Sequence, residues 1–199
     1  MKVMVFIDLH NFRINLQNLY SGWGQDAPRL DYLKLSSEIV KKISIPNATL
    51  VKTYIFASKP EEKLLDLPNY ASFYNWLKGI KNAPYLEVIE GSQVARRTNK
   101  EVEIDIHNQT TFTTVEKGTD VNIAVNMISK AYTNAYDVAV LISGDTDYVP
   151  VIQQLNNIGK VVVLATLRNQ NVNKYKGLYD QHINIHERLL DRCIDENDN

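Results

Sequence analysis

Val138-Ala-Val-Leu-Ile-Ser-Gly-Asp-Thr-Asp-Tyr-Val-Pro150 is the organising stretch of this chain. Val138 to Ile142 is an unbroken apolar run rich in β-branched residues, the pattern of a strand buried on both faces of a parallel sheet. Ser143-Gly144 ends the run. Asp145 and Asp147 follow, and then an apolar-periodic segment (Val149, Val151, Ile152, Leu155, Ile158) that stops at Gly159. The order is strand, turn, helix, and it sets both acids at the carboxyl end of a strand, where open α/β sheets bind ligands.

Working outward, Lys2 to Ile7 is a second buried-strand pattern, closed by Asp8. Leu9-His10-Asn11 leads into a helix over Phe12 to Tyr20, so Asp8 and Asn11 also stand at a strand-to-helix junction. Asp31 is placed to N-cap a helix carrying Leu35, Ile39 and Val40. Leu50 to Ala57 reads as a strand, Lys59 to Leu67 as charged connection, Asn69 to Ile80 as an aromatic-rich helix and Tyr85 to Ile89 as a strand. This βαβαβ order predicts a parallel sheet with helices on its faces. Beyond the organising stretch, Lys160 to Ala165 predicts a strand and Val172 to Tyr179 a helix. Ile183 to Ile185 reads as an edge strand and Glu187 to Cys193 as a last helix. The fold class is α/β, with about six mostly parallel strands.

One region breaks the pattern. Glu101 to Ile106 and Thr110 to Val115 alternate apolar with polar residues around His107-Asn108-Gln109, which predicts an antiparallel hairpin inserted at about residues 100–116. Arg96, Arg97, Lys100 and Lys117 flank it as a compact basic cluster. A solvated face is the plain reading of such a cluster; steering of phosphates toward Asp120 is the functional one.

At 199 residues the chain reads as one domain over residues 1–194 with a polar tail at 195–199. Hydrophobic residues are 44% and charged residues 23%, an ordinary globular balance. The net charge of −1 gives no global basic field, so a nucleic-acid partner would need a local patch. The one cysteine, Cys193, makes neither an internal disulfide nor a thiolate zinc site, and a reducing cytoplasm is the default setting. There is no signal-peptide pattern and no apolar run of membrane-spanning length.

Acids arrive at element junctions from three segments: Asp8, Asp120 at the start of a helix carrying Ile123, Met127 and Ala131, and Asp145 with Asp147. Divalent Mg²⁺ or Mn²⁺ wants such a cluster, because hard cations take carboxylates, waters and substrate phosphates. Without a cation the carboxylates would repel and raise one another's pKa. Each acid alone reads as a helix N-cap, worth about 1 kcal/mol. Asp147 fits the cap best, since Pro150 then falls in the first turn; Asp145 is left over. The four together favour a metal site. His107, His182 and His186 lack metal-ligand spacing, and His10 is a candidate substrate contact.

Phe6-Ile7-Asp8-Leu9-His10-Asn11, Lys117-Gly118-Thr119-Asp120-Val121 and Leu141-Ile142-Ser143-Gly144-Asp145-Thr146-Asp147-Tyr148-Val149-Pro150 resemble the three signatures of the NYN domain, in its LabA-like branch of the PIN-like nuclease superfamily. The resemblance runs from about Val3 to Ala165, and its third signature is the specific one. It implies a Rossmann-like three-layer sandwich and metal-dependent cleavage of RNA. Asp8, Asp120, Asp145 and Asp147 would correspond to the acidic metal site, and Asn11 would hold a carboxylate or the scissile phosphate. Many relatives carry Asp where this chain has Asn126, about 120° round a helix from Asp120.

The expected chemistry is in-line phosphodiester hydrolysis with Mg²⁺ or Mn²⁺. Arg96, Arg97, Lys100 and Lys117 would grip RNA, with Tyr148, Trp23 or Tyr54 stacking bases. The rival is a non-catalytic module that binds RNA or a protein partner. A haloacid-dehalogenase-like phosphatase would need an Asp at His10, a Toprim site a Glu at Asp8, and a dinucleotide enzyme a glycine-rich first turn. A homodimer through Ile183 to Cys193 is a further expectation, since PIN-like domains often self-associate.

Overall fold

The computed structural model describes residues 1–22 and 24–195; Trp23, and the tail beyond Asp195, lie outside the described residues. A seven-stranded sheet forms the middle layer. Its strands are β1 (Lys2–Asp8), β2 (Thr49–Pro60), β3 (Leu86–Arg97), β4 (Phe112–Lys117), β5 (Val138–Ile142), β6 (Val161–Leu167) and β7 (Gln181–Ile185). The order is β4-β3-β2-β1-β5-β6-β7, with every pair parallel except β3–β4.

Alternation along the buried strands sorts the core into two sheets of side chains. Val3, Val5 and Ile7 face one side, joined by α1 (Leu9–Ser21), α2 (Tyr32–Val40), α3 (Pro68–Ile80) and α6 (Glu187–Leu190). Met4 and Phe6 face the other, joined by α4 (Thr119–Tyr132) and α5 (Val149–Asn157). The result is a three-layer sandwich of the Rossmann-like type. No helix among the described residues is long and apolar enough to cross a membrane.

Several local expectations need correction. The hairpin's first arm is not Glu101 to Ile106 but the end of β3, where Ser92 to Arg97 pair with Lys117 to Phe112. Residues 98–111 form a loop. Its apolar alternation places Ile104 against a small cluster around Leu64, Ala95 and Phe112. The loop's backbone bonds run to the buried Thr111 hydroxyl, which accepts from the Asp105 N–H and donates toward the Asp105 and Asn108 carbonyls. The segment 172–179 holds only a 3₁₀ turn at Asn173–Tyr175. The last helix places Leu189 and Leu190 in the chain's own core, and Cys193 of the following 3₁₀ turn joins them.

Candidate metal and nucleic-acid site

The strand order reverses at β1: β2 lies on one side and β5 on the other. The crevice beyond their carboxyl ends is the switch point at which α/β sheets bind ligands. Asp8 closes β1, and Ser143 to Asp147 follow β5, so topology alone carries these residues to one mouth.

Asp8 is buried there. Its Oδ1 accepts from the Asn11 N–H at 3.1 Å, capping α1. Its Oδ2 accepts from the Ser143 hydroxyl and from the Tyr148 hydroxyl, both at 3.1 Å. Burial pushes the carboxyl up to about 6; these three hydrogen bonds pull it down and the nearby Asp120 charge adds to the rise. The Tyr148 hydroxyl also lies 2.9 Å from Asp120 Oδ1. One phenolic proton thus serves two carboxylates. Desolvation, and then the charges of Asp8 and Asp120, push Tyr148 far above the ordinary phenol range, so it stays a donor.

Asp120 reaches this hydroxyl because two glycines clear its path. Gly118, at φ 79°, turns the chain from β4 into α4 in the left-handed region that suits glycine. Gly91 on β3 lets α4 close on the sheet: a Cβ there would sit 2.5 Å from Thr119 Oγ1 and 2.7 Å from the Lys117 carbonyl. Thr119 Oγ1 in turn bonds Ser58 Oγ at 2.7 Å. Asp120 is therefore a first-turn residue of α4, with Gly118 at the N-cap, and its carboxylate is exposed.

The assignment of caps after β5 is reversed from expectation. Asp145, not Asp147, is the N-cap: its carboxylate accepts from the Asp147 N–H at 3.1 Å and opens a 3₁₀ turn, Thr146–Tyr148, ahead of α5. That extra turn moves the cap two residues upstream, while Pro150 still sits in the first turn of α5. The Asp145 N–H donates to Ser143 Oγ, which links it to Asp8. The buried Tyr175 hydroxyl donates to the Asp145 carbonyl. Asp147 is exposed at the rim.

Asn11 ties three junctions together. Its side-chain oxygen accepts from the Gly144 N–H at 3.1 Å and the Gln170 amide at 2.7 Å. Gln170 also accepts from the Leu167 N–H at the end of β6. A Cβ on Gly144 would fall 2.5 Å from the Gln170 amide nitrogen, so a larger residue there would push Gln170 off Asn11. Ser143 and Tyr148 lie inside the organising stretch but carry no acid to attract notice. Gln170 and Tyr175 have no local signal; only the folded chain brings them here.

The basic residues do not form one compact cluster. The β3–β4 ladder pairs Lys117 with Ser92 and Arg97 with Phe112. Lys117 therefore sits near Asp120, while Arg96, Arg97 and Lys100 lie at the arm's far end, about 17 Å along the strand. All four are exposed. Asn126 bonds within α4, to the Asn122 carbonyl and Lys130, about 1.7 turns from Asp120. Tyr148 and Tyr54 are buried and unavailable for base stacking; Tyr54 packs on Phe6. His10 faces Glu116 on β4 at 3.6 Å.

Among the described residues no three acids or imidazoles converge on a common metal sphere. Asp8 and Asp120 meet through one hydroxyl, and the Asp145 backbone N–H joins them through the Ser143 hydroxyl while its carboxylate caps the following turn. All the donors are carboxylate oxygens, the set that hard cations prefer. Burial first, and the neighbouring Asp120 charge last, disfavour a charged Asp8 carboxylate, and a bound cation would offset both. Donor chemistry and charge fit a divalent ion held by one or two carboxylates and completed by water and phosphate oxygens, the habit of Mg²⁺.

The family model described as NYN domain matches residues 2–185. A crystal structure of a protein of unknown function from Vibrio parahaemolyticus RIMD 2210633 is similar over 97% of this chain and 95% of that one, at 15% identity and a TM-score of 0.57, a likeness of fold. A NAD-dependent persulfide reductase from A. fulgidus aligns with 85% of this chain and 34% of its own, at 12% identity and a TM-score of 0.20, which carries no argument. No curated protein matches.

Proposed function

The chain belongs to the NYN domain family, within the PIN-like nuclease superfamily, and from that premise we propose that it is a divalent-metal-dependent ribonuclease of the LabA-like branch, acting in the cytoplasm as a single domain. One observation carries the reading: at the switch point of the sheet, buried Asp8 shares the Tyr148 hydroxyl with Asp120. Asp8 and Asp120 would hold Mg²⁺ or Mn²⁺, with Asp145 beside them and Asp147 reaching from the rim. When bound, such an ion polarises a phosphodiester and lowers the pKa of water enough to supply a nucleophile.

The chain's own residues do the rest. Tyr148 keeps its proton and orients the two carboxylates. Asn11 is a positioning residue, because its oxygen is spent on Gly144 and Gln170 and so locks the loops that carry Asp8 and Asp145. Lys117 lies closest to the acids and draws the scissile phosphate in. Arg96, Arg97 and Lys100 hold the strand farther out along the arm.

The test is cleavage of a labelled single-stranded RNA in EDTA, Mg²⁺ and Mn²⁺, by the wild type and by Asp120→Asn. Asp120 caps nothing, so the variant should fold normally and lose metal-dependent cleavage; equal cleavage by both proteins would overturn the proposal. A second reading, an RNA-binding module with little catalysis, is favoured by the lack of a three-ligand group among the described residues. RNA binding in EDTA with no cleavage on restoring metal would decide for it.

A further inference from the structure

Beside the acidic mouth lies a cleft of about 550 Å³. That volume is typical of pockets for a nucleoside-sized ligand. Its walls are α1 and α3, its floor includes Ala57 and Ser58 at the end of β2, and Gln93 and Glu116 border it from β3 and β4. Leu9 and His10, the two residues after Asp8, form the wall shared with the acids. Ser58 bonds Thr119, the neighbour of Asp120. The cleft and the acidic mouth are thus two compartments of one surface.

What lines the cleft is unusual for this protein. Helix α3 carries Tyr70, Phe73, Tyr74 and Trp76, yet Leu77 is its one buried residue. Its rings are only partly buried: Phe73, Tyr74 and Trp76 rest one side on the core, and Tyr70 rests on the cluster around Leu64. Tyr70, Phe73 and Trp76 line the cleft at spacings of three residues, the near-side face of a helix. Trp76 is braced by Tyr32, at 5.8 Å between centroids, and by Phe73, at 5.9 Å. Opposite them, the Arg13 guanidinium of α1 lies 4.6 Å from the centre of the Phe73 ring. Rings of fixed orientation with a stacked guanidinium are what a flat, electron-rich heterocycle requires. The Asn69 side chain on the rim has no partner among the described residues and is suited to a base edge.

We propose that this cleft is a nucleobase pocket, which takes one unstacked base of a single-stranded substrate next to the phosphate held at Asp8 and Asp120. The aromatic face gives affinity without strong sequence preference, and Arg13 adds a cation on the strand's path. The pocket selects for single strands, because a base in a duplex cannot leave its stack without cost. This deepens the nuclease reading and rests on it for the strand as the source of the base. The alternative source of the same chemistry is a free nucleotide.

The experiment measures binding of the full chain, in EDTA, to fluorescein-labelled single-stranded RNAs with one abasic nucleotide moved stepwise along the strand. Wild type should lose roughly tenfold in affinity when the gap falls at one position, the worth of one base–aromatic stack. Phe73→Leu, on α3, and Arg13→Gln, on α1, should bind the intact RNA more weakly and become indifferent to that gap. Circular dichroism and melting temperature check that both variants fold, and two helices make a shared folding defect easy to see. A gap that costs nothing in wild type, or costs the same in wild type and variants, overturns the pocket. Displacement of intact RNA by adenosine or uridine monophosphate from wild type, weakened in both variants, supports the pocket and makes a free nucleotide its source. Because binding is read without metal, loss of cleavage alone would overturn the nuclease reading and leave the base effect standing.

Discussion

At the mouth between β1 and β5 local caps such as Asp8–Asn11 are tied together by bonds that cross the chain: Ser143 to Asp8 spans 135 residues and Gln170 to Asn11 spans 159. At the tip of the β3–β4 arm the bonds are local: Thr98 to Thr110 spans 12 residues, and Thr110 to Asn108 spans 2. Long-range bonds fix a group relative to the whole fold, since moving it breaks contacts in several elements. Local bonds fix only the loop's own shape. The chain therefore places its acids where geometry must be held and its exposed Arg96, Arg97 and Lys100 where a backbone can be followed. Preorganised charge is what chemistry needs, whereas phosphate contacts tolerate adjustment and act through counterion release.

The contrast is broken most sharply at Asp8. In metal-free protein its folded-state carboxyl lies at about 6, above the ordinary value of 3.8. Folding thus favours the protonated acid; stability is intact below about 3.8 and is lost as pH rises toward 6. Asp8→Asn removes the penalty, and thermal or urea melts in EDTA should find it more stable at pH 8 by on the order of 3 kcal/mol. At pH 4 the gain should vanish. A gain of the same size at both pH values would mean that Asp8 is not held as a strained carboxylate.

Asn11→Ala unlocks the mouth without touching an acid. Cleavage should fall by about 10–100-fold, the usual cost of losing a group that positions ligands. Added metal should restore part of it, since the carboxylates remain. At the arm, replacing both Arg96 and Arg97 with Ala should do less to turnover than to KM, which should rise several-fold. The log–log dependence of RNA affinity on salt should lose about one unit of slope per phosphate contact removed. A fall in kcat with KM unchanged would instead place the arm in the chemistry.

The mouth was readable from sequence where burial wrote the pattern. Val3 to Ile7 and Val138 to Ile142 are enclosed on both faces, so their unbroken apolar runs announce parallel central strands, and the acids that close them follow by position. The arm misleads because its alternation survives in a loop: Ile104 packs on a small cluster while Thr111 gathers the backbone bonds that a strand would have made. Asp145 and Asp147 exchanged roles because one extra 3₁₀ turn shifts the cap, and spacing along a chain does not register such a turn. Gln170 and Tyr175 left no trace, since the bonds that bring them to the mouth run to Asn11 and Asp145, distant in sequence. The cleft was hidden for a related reason: Asn69 to Ile80 shows a helix with many rings, and only the assembled layers leave those rings facing a void.

On the proposed function Asp8 and Asp120 form one cation-holding pair across the Tyr148 hydroxyl. Isothermal titration of Mn²⁺ into the metal-free protein at pH 6, in two buffers of different ionisation enthalpy, tests it most directly. A cation-holding pair gives binding by the wild type with release of protons, because Asp8 is part-protonated there, and loss of binding in Asp120→Asn. Equal Mn²⁺ affinity in the two proteins, with no proton released, would contradict it.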